Sequence, residues 1–448
     1  MYNYLRNIDP YLVTQSSIHS TNWNLLADLL GKMSEKNFLS VSDRFIADLE
    51  KYPTGFTNKA SNFNDSYLSL LIHGMRYLQM SNSSLEKFEE CADFLKSLAK
   101  FFFKCENDVI LIAYCDVINQ LLLSFSGTLT AEVDHPTWVD AIKMIYNKSL
   151  NIQNHKNQMF WKSAAALTAT SLSVAPREIF NTHWLNLVDS YVKKLKPKIP
   201  TIEKVVITAS LARLIWAYLY RYNDTLNNKT RNLENIANSL FQNSHISGKK
   251  QHWLTQDPIL IQSTVQILRT MAFSKLNLTL ENIVLPLMKS AFNGTTLENI
   301  SHEKMLLSIN AYICILSDYK SGERPLFPTD YIIFNSFDPL EFSNTYNEEI
   351  FDEDSSNAAG HEEVSDLFRS LLFLLDTQVG CKSLTAKSES NSNKSSGPST
   401  PLSVSAPSLH FRVSSFSFHT EENSSKNLEL FSTVISKLLF VWMKRVPE

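Results

Sequence analysis

From the N-terminus to about Asp330 the chain repeats one pattern: apolar residues at helical spacing, interrupted by short polar breaks. Cys91, Phe94, Leu95, Leu98, Ala99 and Phe102 form one such stripe; Leu306, Ile309, Ile313 and Leu316 form another. Breaks fall at residues 51–65, 80–84, 104–108, 128–135, 196–201, 241–258 and 292–300, leaving intervals that suit helices of about 12–22 residues. Ser84, Thr201 and the Asp257-Pro258 pair mark helix starts, Ser84 being the weakest. Strand alternation is scarce, and ten glycines in 448 residues are too few for folds built on tight turns and Gly-rich phosphate loops. Successive helices with no sheet to pack on must pack on each other, as a globular bundle or as a solenoid of about 40 residues per helix pair. No exact repeat is visible, but such repeats demand only apolar spacing. A helical stretch this long without a boundary favours the solenoid. The expected fold is all-α: an α-α superhelix, or HEAT/armadillo-like solenoid, over residues 1–333.

After Tyr331 the character changes. Residues 334–360 carry Glu348, Glu349, Asp352, Glu353 and Asp354 with few apolar neighbours, and read as an acidic linker. Val364, Leu367, Phe368, Leu371, Leu372 and Leu375 predict a helix within 361–380. Residues 381–426 follow; fifteen of the forty-four from Ser383 to Lys426 are serine, a composition that cannot offset its own ordering entropy and predicts disorder. A last helix within 427–448 is apolar nearly all round, with Leu438, Leu439, Phe440, Val441 and Trp442 consecutive. Such a helix expects a following repeat to cover it, so the chain reads as a fragment.

Composition excludes several functions. The chain is 44% apolar, and its net charge of −3 is too small for nucleic-acid binding by bulk electrostatics. Five cysteines (Cys91, Cys105, Cys115, Cys314, Cys381) with no CxxC pair point to a reduced, cytosolic setting. MYNYLRNIDP lacks the apolar core of a secretory signal, and the apolar runs at 371–375 and 438–443 are too short to span a bilayer. No Walker loop, GxGxxG, HExxH, GxSxG or kinase catalytic-loop pattern occurs, so no catalytic, cofactor-binding or metal-ligating residue is assigned. His135 and His183 have no partner four residues on, and Glu89-Glu90 reads as a solvated helix face. Lys193-Lys194-x-Lys196-x-Lys198 reads as a charged helix end before it reads as a phosphate site. None of the seven tryptophans is followed four residues later by Asn, the spacing that peptide-clamping armadillo receptors use; packing between helices accounts for all seven.

The most informative string is Ala209-Ser-Leu-Ala-Arg213-Leu-Ile-Trp216-Ala-Tyr218-Leu-Tyr220-Arg221, followed by Thr225-Leu-Asn-Asn228. Leu211, Leu214, Ile215, Tyr218 and Leu219 make one apolar helix face, Arg213, Trp216, Tyr220 and Arg221 occupy others, and 223–228 reads as a polar turn. Arg213-Leu-x-Trp216-x-Tyr218-Leu-Tyr-Arg221 resembles a signature of the Furry family, very large cell-morphogenesis scaffold proteins. Further matches come in the same order: Asn22-Trp-Asn24, Leu30-Gly-x-Met-Ser34, Ser42-Asp-Arg-Phe-Ile-Ala-Asp-Leu-Glu50, Gly74-Met-Arg-Tyr-Leu78 and 92–102. Asn119-Gln-Leu-Leu-Leu123, Thr130-Ala-Glu132, His135-Pro-x-Trp138, Pro176-Arg-Glu178 and Gly322-Glu-x-Pro325 with Phe327-Pro328 complete the set. The chain is thus similar to the N-terminal helical region of a fungal Furry-type protein over about residues 20–330. It departs from the family at Tyr222, where Cys is favoured, a difference that reads as a packing swap.

The resemblance implies a non-enzymatic scaffold for NDR-class kinase signalling in cell morphogenesis and polarised growth. Its implied partners are the kinase and a Mob-type coactivator, with no cofactor, and its implied place is the cytoplasm, at the cell cortex at growth sites. The alternative is a generic HEAT-type adaptor in transport or cytoskeletal organisation. A cryptic helical enzyme would need a cleft of titratable groups with shifted pKa values. One short motif fits the first reading: His410-Phe-Arg412-Val-Ser414-Ser415 is H-x-R-x-x-S, which looks like an acceptor favoured by NDR-class kinases, with Ser415 as the target. Coincidence in a Ser-rich tract is the competing account. Thr400-Pro401 is a weaker candidate, for a proline-directed kinase.

Overall fold

The computed structural model describes residues 2–51, 62–129, 133–154, 158–196, 198–222, 226–241, 258–291 and 301–329. The expected linker at 334–360, the helix at 361–380, the Ser-rich segment and the last helix lie outside the described residues, as do Thr400, His410, Arg412 and Ser415. Every described element is helical; among the described residues there is no strand. The chain divides into two compact units, Met1–Thr279 with Asn310–Phe337, and Leu280–Ile309 with Asp338–Glu448.

The first unit opens with α1 (Tyr2–Asn7), α2 (Pro10–Gln15), α3 (Ser17–Ser34), α4 (Phe38–Leu49) and α5 (Asn62–Gly74), which runs into a 3-10 turn at Met75–Tyr77. It continues with α6 (Leu85–Lys104), α7 (Asp108–Ser126), α8 (Pro136–Gln153), α9 (Gln158–Ser173), α10 (Arg177–Lys194) and α11 (Thr201–Trp216). α12 (Leu226–Phe241), α13 (Pro258–Ser274) and α14 (Leu276–Thr279) follow. From α4 to α9, and through α11 to α13, most helices pack on a next-but-one neighbour. α5, α7, α9, α11 and α13 stack in one layer, while α4, α6 and α8 stack in a second. α10 lies on α9 and α11 and reaches α12. This two-layer stacking of successive helices is the α-α solenoid that the apolar spacing predicts.

Thirteen of the nineteen residues of α7 and twelve of the sixteen of α11 are buried, against five of eighteen in α10. The odd-numbered layer is therefore the core, and the even-numbered helices turn one side outward. α6 keeps the predicted stripe, with Cys91, Phe94, Leu95, Leu98, Ala99 and Phe102 all buried. α7 has the length and apolarity of a bilayer span, which the short apolar runs did not reveal; most of that span is buried inside the stack.

Of the helix starts expected from sequence, Ser84 acts as a side-chain cap. Ser84 Oγ accepts from the Lys87 N–H at 3.3 Å, and Asn107 Oδ1 accepts from Val109 and Ile110 at the start of α7. Thr201 is the first residue of α11, not its cap, because Pro200 holds that position. Pro258 opens α13.

At the N-terminal end of the stack, Gly31 of α3 lies against the 3-10 turn. A Cβ there would sit 2.2 Å from the Tyr77 carbonyl oxygen. Beside it Ser34 Oγ accepts from the Gln79 N–H at 2.9 Å, and Arg76 Nη2 donates to Asn24 Oδ1 at 2.6 Å. Three of the family-like segments, 22–24, 30–34 and 74–78, thus meet in one contact. Since the obstacle is backbone, Gly31→Ala is expected to cost about 1–3 kcal/mol, measured by denaturant unfolding, whereas Ala at exposed Lys36 changes stability by less than ~0.5 kcal/mol.

In the second unit a π-helical turn at Leu280–Val284 leads into α15 (Leu285–Ala291), and the Ser301 N–H donates to the Ala291 carbonyl at 3.0 Å. α16 (His302–Ser321) follows, its residues from Asn310 onward belonging to the first unit.

Candidate functional site

The signature string lies where α11 ends, and it is not the one-faced amphipathic helix its periodicity predicts. Arg213 is 1% and Arg221 5% exposed, and Trp216, Tyr218 and Tyr222 are buried with them. The physical reason is position. α11 sits in the core layer between α9 and α13, so its polar faces are covered too. After Trp216 the helix widens into a π turn at Ala217–Arg221, closed by the Tyr222 N–H on the Ala217 carbonyl at 3.0 Å. Leu226–Asn228, predicted as the end of a polar turn, forms the first turn of α12.

Each polar residue of the string serves a different neighbour. Arg221 Nη1 donates to the Ser173 carbonyl at 2.6 Å, and Nη2 donates to the Ser126 and Leu129 carbonyls at 2.9 and 3.1 Å. Ser173 ends α9 and Ser126 ends α7, so one guanidinium caps two helix C-termini whose dipoles each present about half a negative charge. Burial pulls the Arg221 pKa down to about 10, yet the group stays charged at neutral pH. Arg213 Nη1 donates to Thr170 Oγ1 at 3.3 Å, and that hydroxyl lies 2.7 Å from Asn119 Oδ1, linking α11, α9 and α7 through the core. Tyr222 donates to the Ala175 and Ser173 carbonyls and stacks on Phe180 at 4.3 Å. The Tyr222 hydroxyl makes hydrogen bonds that a thiol makes poorly. Tyr218 stacks on Trp184 of α10 at 4.1 Å and accepts from Asn232 Nδ2 of α12. Tyr220 donates to the Thr270 carbonyl of α13 at 2.7 Å.

The second half of the site is a strap, residues 322–329. Gly322 ends α16 at φ +67°, a left-handed conformation that suits glycine and lets the chain leave the helix. Arg269 of α13 grips Asp318 with two hydrogen bonds, 2.7 and 2.6 Å, and fixes the strap's origin. The strap then crosses α11 and α7. Trp216 Nε1 donates to the Pro325 carbonyl at 2.8 Å and Arg213 Nε to the Pro328 carbonyl at 3.2 Å. Phe327 is buried edge-on against Trp216 at 5.1 Å, beside Leu123. Arg324 lies over the Trp216 and Tyr220 rings, at 5.1 and 5.6 Å. The Gly322-Glu-x-Pro325 and Phe327-Pro328 match is therefore the partner of the Arg213–Arg221 match, more than a hundred residues away.

Trp138 of the His135-Pro-x-Trp138 match donates from Nε1 to the Val174 carbonyl at 3.2 Å, in the same loop that Arg221 and Tyr222 bind. Trp23, Trp138, Trp161, Trp184 and Trp216 are all buried, in line with the packing account; Trp253 and Trp442 lie outside the described residues. Lys193 and Lys194 occupy the last turn of α10, with Lys194 over the Trp161 ring at 4.3 Å. Glu89 lies 3.9 Å from His135. Among the described residues no group of three His, Cys, Asp or Glu side chains comes together to hold a metal.

What this centre does in the structure is tie helix ends and the strap together through buried donors. Burial pushes the Tyr220 hydroxyl above its ordinary range. Burial also drives the Cys91 and Cys105 thiols up to about 11, and Cys115 further. His73 shifts the other way: burial, then the charge of Arg76, lowers it below 6.5. The unfolded chain therefore binds a proton that the folded one refuses, and stability falls as pH drops below about 6.5. His73→Gln is expected to flatten that acid limb in urea titrations at successive pH values while leaving the neutral values nearly unchanged.

A two-layer helical stack closed by buried arginines and an internal strap defines a structural repeat protein. The family model "Cell morphogenesis N-terminal" matches residues 1–447, and the chain belongs to that family, the N-terminal region of Furry-type proteins. It is 42% identical over 380 residues to cell morphogenesis protein PAG1 of Saccharomyces cerevisiae, covering 85% of this chain and 15% of that protein. It is 29% identical over 329 residues to cell polarity protein mor2 of Schizosaccharomyces pombe, covering 73% of this chain and 14% of that protein. The chain thus spans about a seventh of the length of these relatives.

Proposed function

We propose that this chain is the N-terminal part of a non-enzymatic scaffold that supports NDR-class kinase signalling in cell morphogenesis and polarised growth. Family membership carries this reading, together with relatives named for morphogenesis and polarity. The physics agrees: a stack of helices with a rigid core offers a long, pre-formed surface on which a kinase and a Mob-type coactivator can be held at high local concentration. The chain acts at the cell cortex at growth sites, and no catalytic step belongs to it.

Ser415, in the His410, Arg412 context, is the target of the bound kinase, and Thr400 that of a proline-directed one. A phosphate at Ser415 adds −1.5 to −2 charges and three acceptor oxygens beside Arg412. The test is co-purification of residues 1–448 with an NDR-class kinase and its Mob coactivator, with phosphopeptide mapping and a Ser415→Ala variant. A retained complex and a single loss of phosphate in the variant are expected. A folded chain that retains neither protein would refute the reading for this segment, and an unmodified Ser415 in a retained complex would refute the target assignment.

A further inference from the structure

The strap carries a Pro-x-x-Pro run, Pro325-Leu-Phe-Pro328, and its backbone belongs to no helix or strand. Each proline locks its own φ near about −65° and turns the residue before it away from the helical region. Arg324, Pro325, Phe327 and Pro328 are therefore all held extended, and Leu326 alone is left free. That is the make-up of a polyproline II segment, in which residues three apart share one face. Burial agrees. Pro325 is buried and Pro328 half-buried, with Phe327 buried beside them, whereas Leu326 is 84% exposed.

The face beneath the strap suits that backbone. Trp216, Tyr220 and Phe273 form a run of aromatic rings with centroids 5.4 and 6.1 Å apart, and Phe327 meets it edge-on. Both hydrogen bonds from α11 to the strap run the same way: Trp216 Nε1 donates to the Pro325 carbonyl and Arg213 Nε to the Pro328 carbonyl. Opposite such donors a proline is well placed, since it has no N–H to leave unpaired. Arg324 closes the contact over the Trp216 and Tyr220 rings. An aromatic-lined face that receives a pre-ordered, extended Pro-x-x-Pro segment is how proline-rich segments are recognised between proteins. These contacts read two carbonyls, one ring and one guanidinium, and none of them requires the segment to be joined to α16.

We infer that the Trp216–Tyr220 face is a binding site for polyproline II segments, held in this chain by its own strap, and that it takes an Arg-Pro-x-Phe-Pro segment of another protein when the strap is released. The strap is the competitor. Tethered just beyond Gly322, it has an effective concentration on the order of mM, which a free segment must match. The site does not depend on which signalling partner the rest of the scaffold holds.

The probe is a fluorescent peptide, Gly-Glu-Arg-Pro-Leu-Phe-Pro-Thr, followed by anisotropy against the full chain, residues 1–448. Phe327→Ala removes the strap's own ring, and this released chain should bind the peptide saturably, at least about tenfold tighter than the unchanged chain does. The same peptide with both prolines replaced by alanine should bind at least about tenfold more weakly, having more conformational freedom to lose. Adding Trp216→Phe to the released chain keeps a ring and loses the indole donor, and should weaken binding about fivefold. Pro325→Ala with Pro328→Ala loosens the strap while leaving Phe327 in place. It should also raise the peptide's affinity, and keeps the test decisive if the first variant fails to fold. No binding to a folded released chain, equal binding of the two peptides, or no effect of Trp216→Phe would overturn the proposal. Dimers of the unchanged chain that vanish in Phe327→Ala would overturn it in favour of the strap of a second copy.

Discussion

Replacing Arg221 by methionine lowers the unfolding free energy of the first unit by about 3–5 kcal/mol, a large share of the 5–15 kcal/mol typical of a domain. Methionine fills most of the volume, so the loss is not a cavity effect. It comes from the carbonyls of Ser173, Ser126 and Leu129, which lose a charged donor while remaining buried. Arg221→Lys recovers only part of it, because an ammonium is a point donor and cannot span three carbonyls spread over the ends of α7 and α9. Urea unfolding followed by far-UV circular dichroism reads the difference. A drop below about 1 kcal/mol for Arg221→Met would mean that water satisfies those carbonyls and that the guanidinium is not the cap.

Trp216→Ala is the second large effect, again about 3–5 kcal/mol, from lost apolar burial and the void left behind. Here a second readout separates anchoring from packing. Trp216 holds the strap through Pro325 and Phe327, so its removal should open residues 322–329 to cleavage after Glu323, which is exposed but backed by the anchored segment. Trp216→Phe keeps the ring contact and loses only the Nε1 hydrogen bond, costing about 1 kcal/mol. Limited digestion with a Glu-specific protease should therefore rank alanine well above phenylalanine, and phenylalanine slightly above the unchanged chain. Identical cleavage in all three would show that the strap does not rest on Trp216.

The layers of this fold were legible in the sequence because burial on one face leaves a period. Cys91–Phe102 on α6 shows it, and the breaks at 80–84, 104–108 and 196–201 fall between helices as read. The centre was not legible, for the complementary reason. α11 is enclosed, so Arg213 and Arg221, which periodicity places only on other faces of the helix, are buried, Arg221 as a cap on two helix ends and Arg213 as a link to Thr170 and Pro328. Periodicity assigns a polar residue to solvent by default, and only the placement of helix ends can correct that. The π turn at Ala217–Arg221 adds to the difficulty, since it breaks the 3.6-residue phase inside the very string that carries the family likeness. The strap has no period at all. Its Arg324-Pro-Leu-Phe-Pro328 run reads as a loop, and nothing local indicates that Trp216 and Arg213, about a hundred residues earlier, bond its Pro325 and Pro328 carbonyls. Resemblance picked out both segments, and their contact gives it a physical meaning. The family-like segments at 119–123, 135–138, 209–221 and 322–328 are one connected centre, and those at 22–34 and 74–78 are another.

These two centres tie the helices of the first unit together. The most direct measurement is size-exclusion chromatography with light scattering on the purified chain mixed with an NDR-class kinase and its Mob coactivator. The account predicts one co-eluting complex whose mass is the sum of the three, retained by Gly31-containing wild type and by surface variants such as Lys36→Ala. Separate elution of a chain whose circular dichroism is fully helical would contradict it.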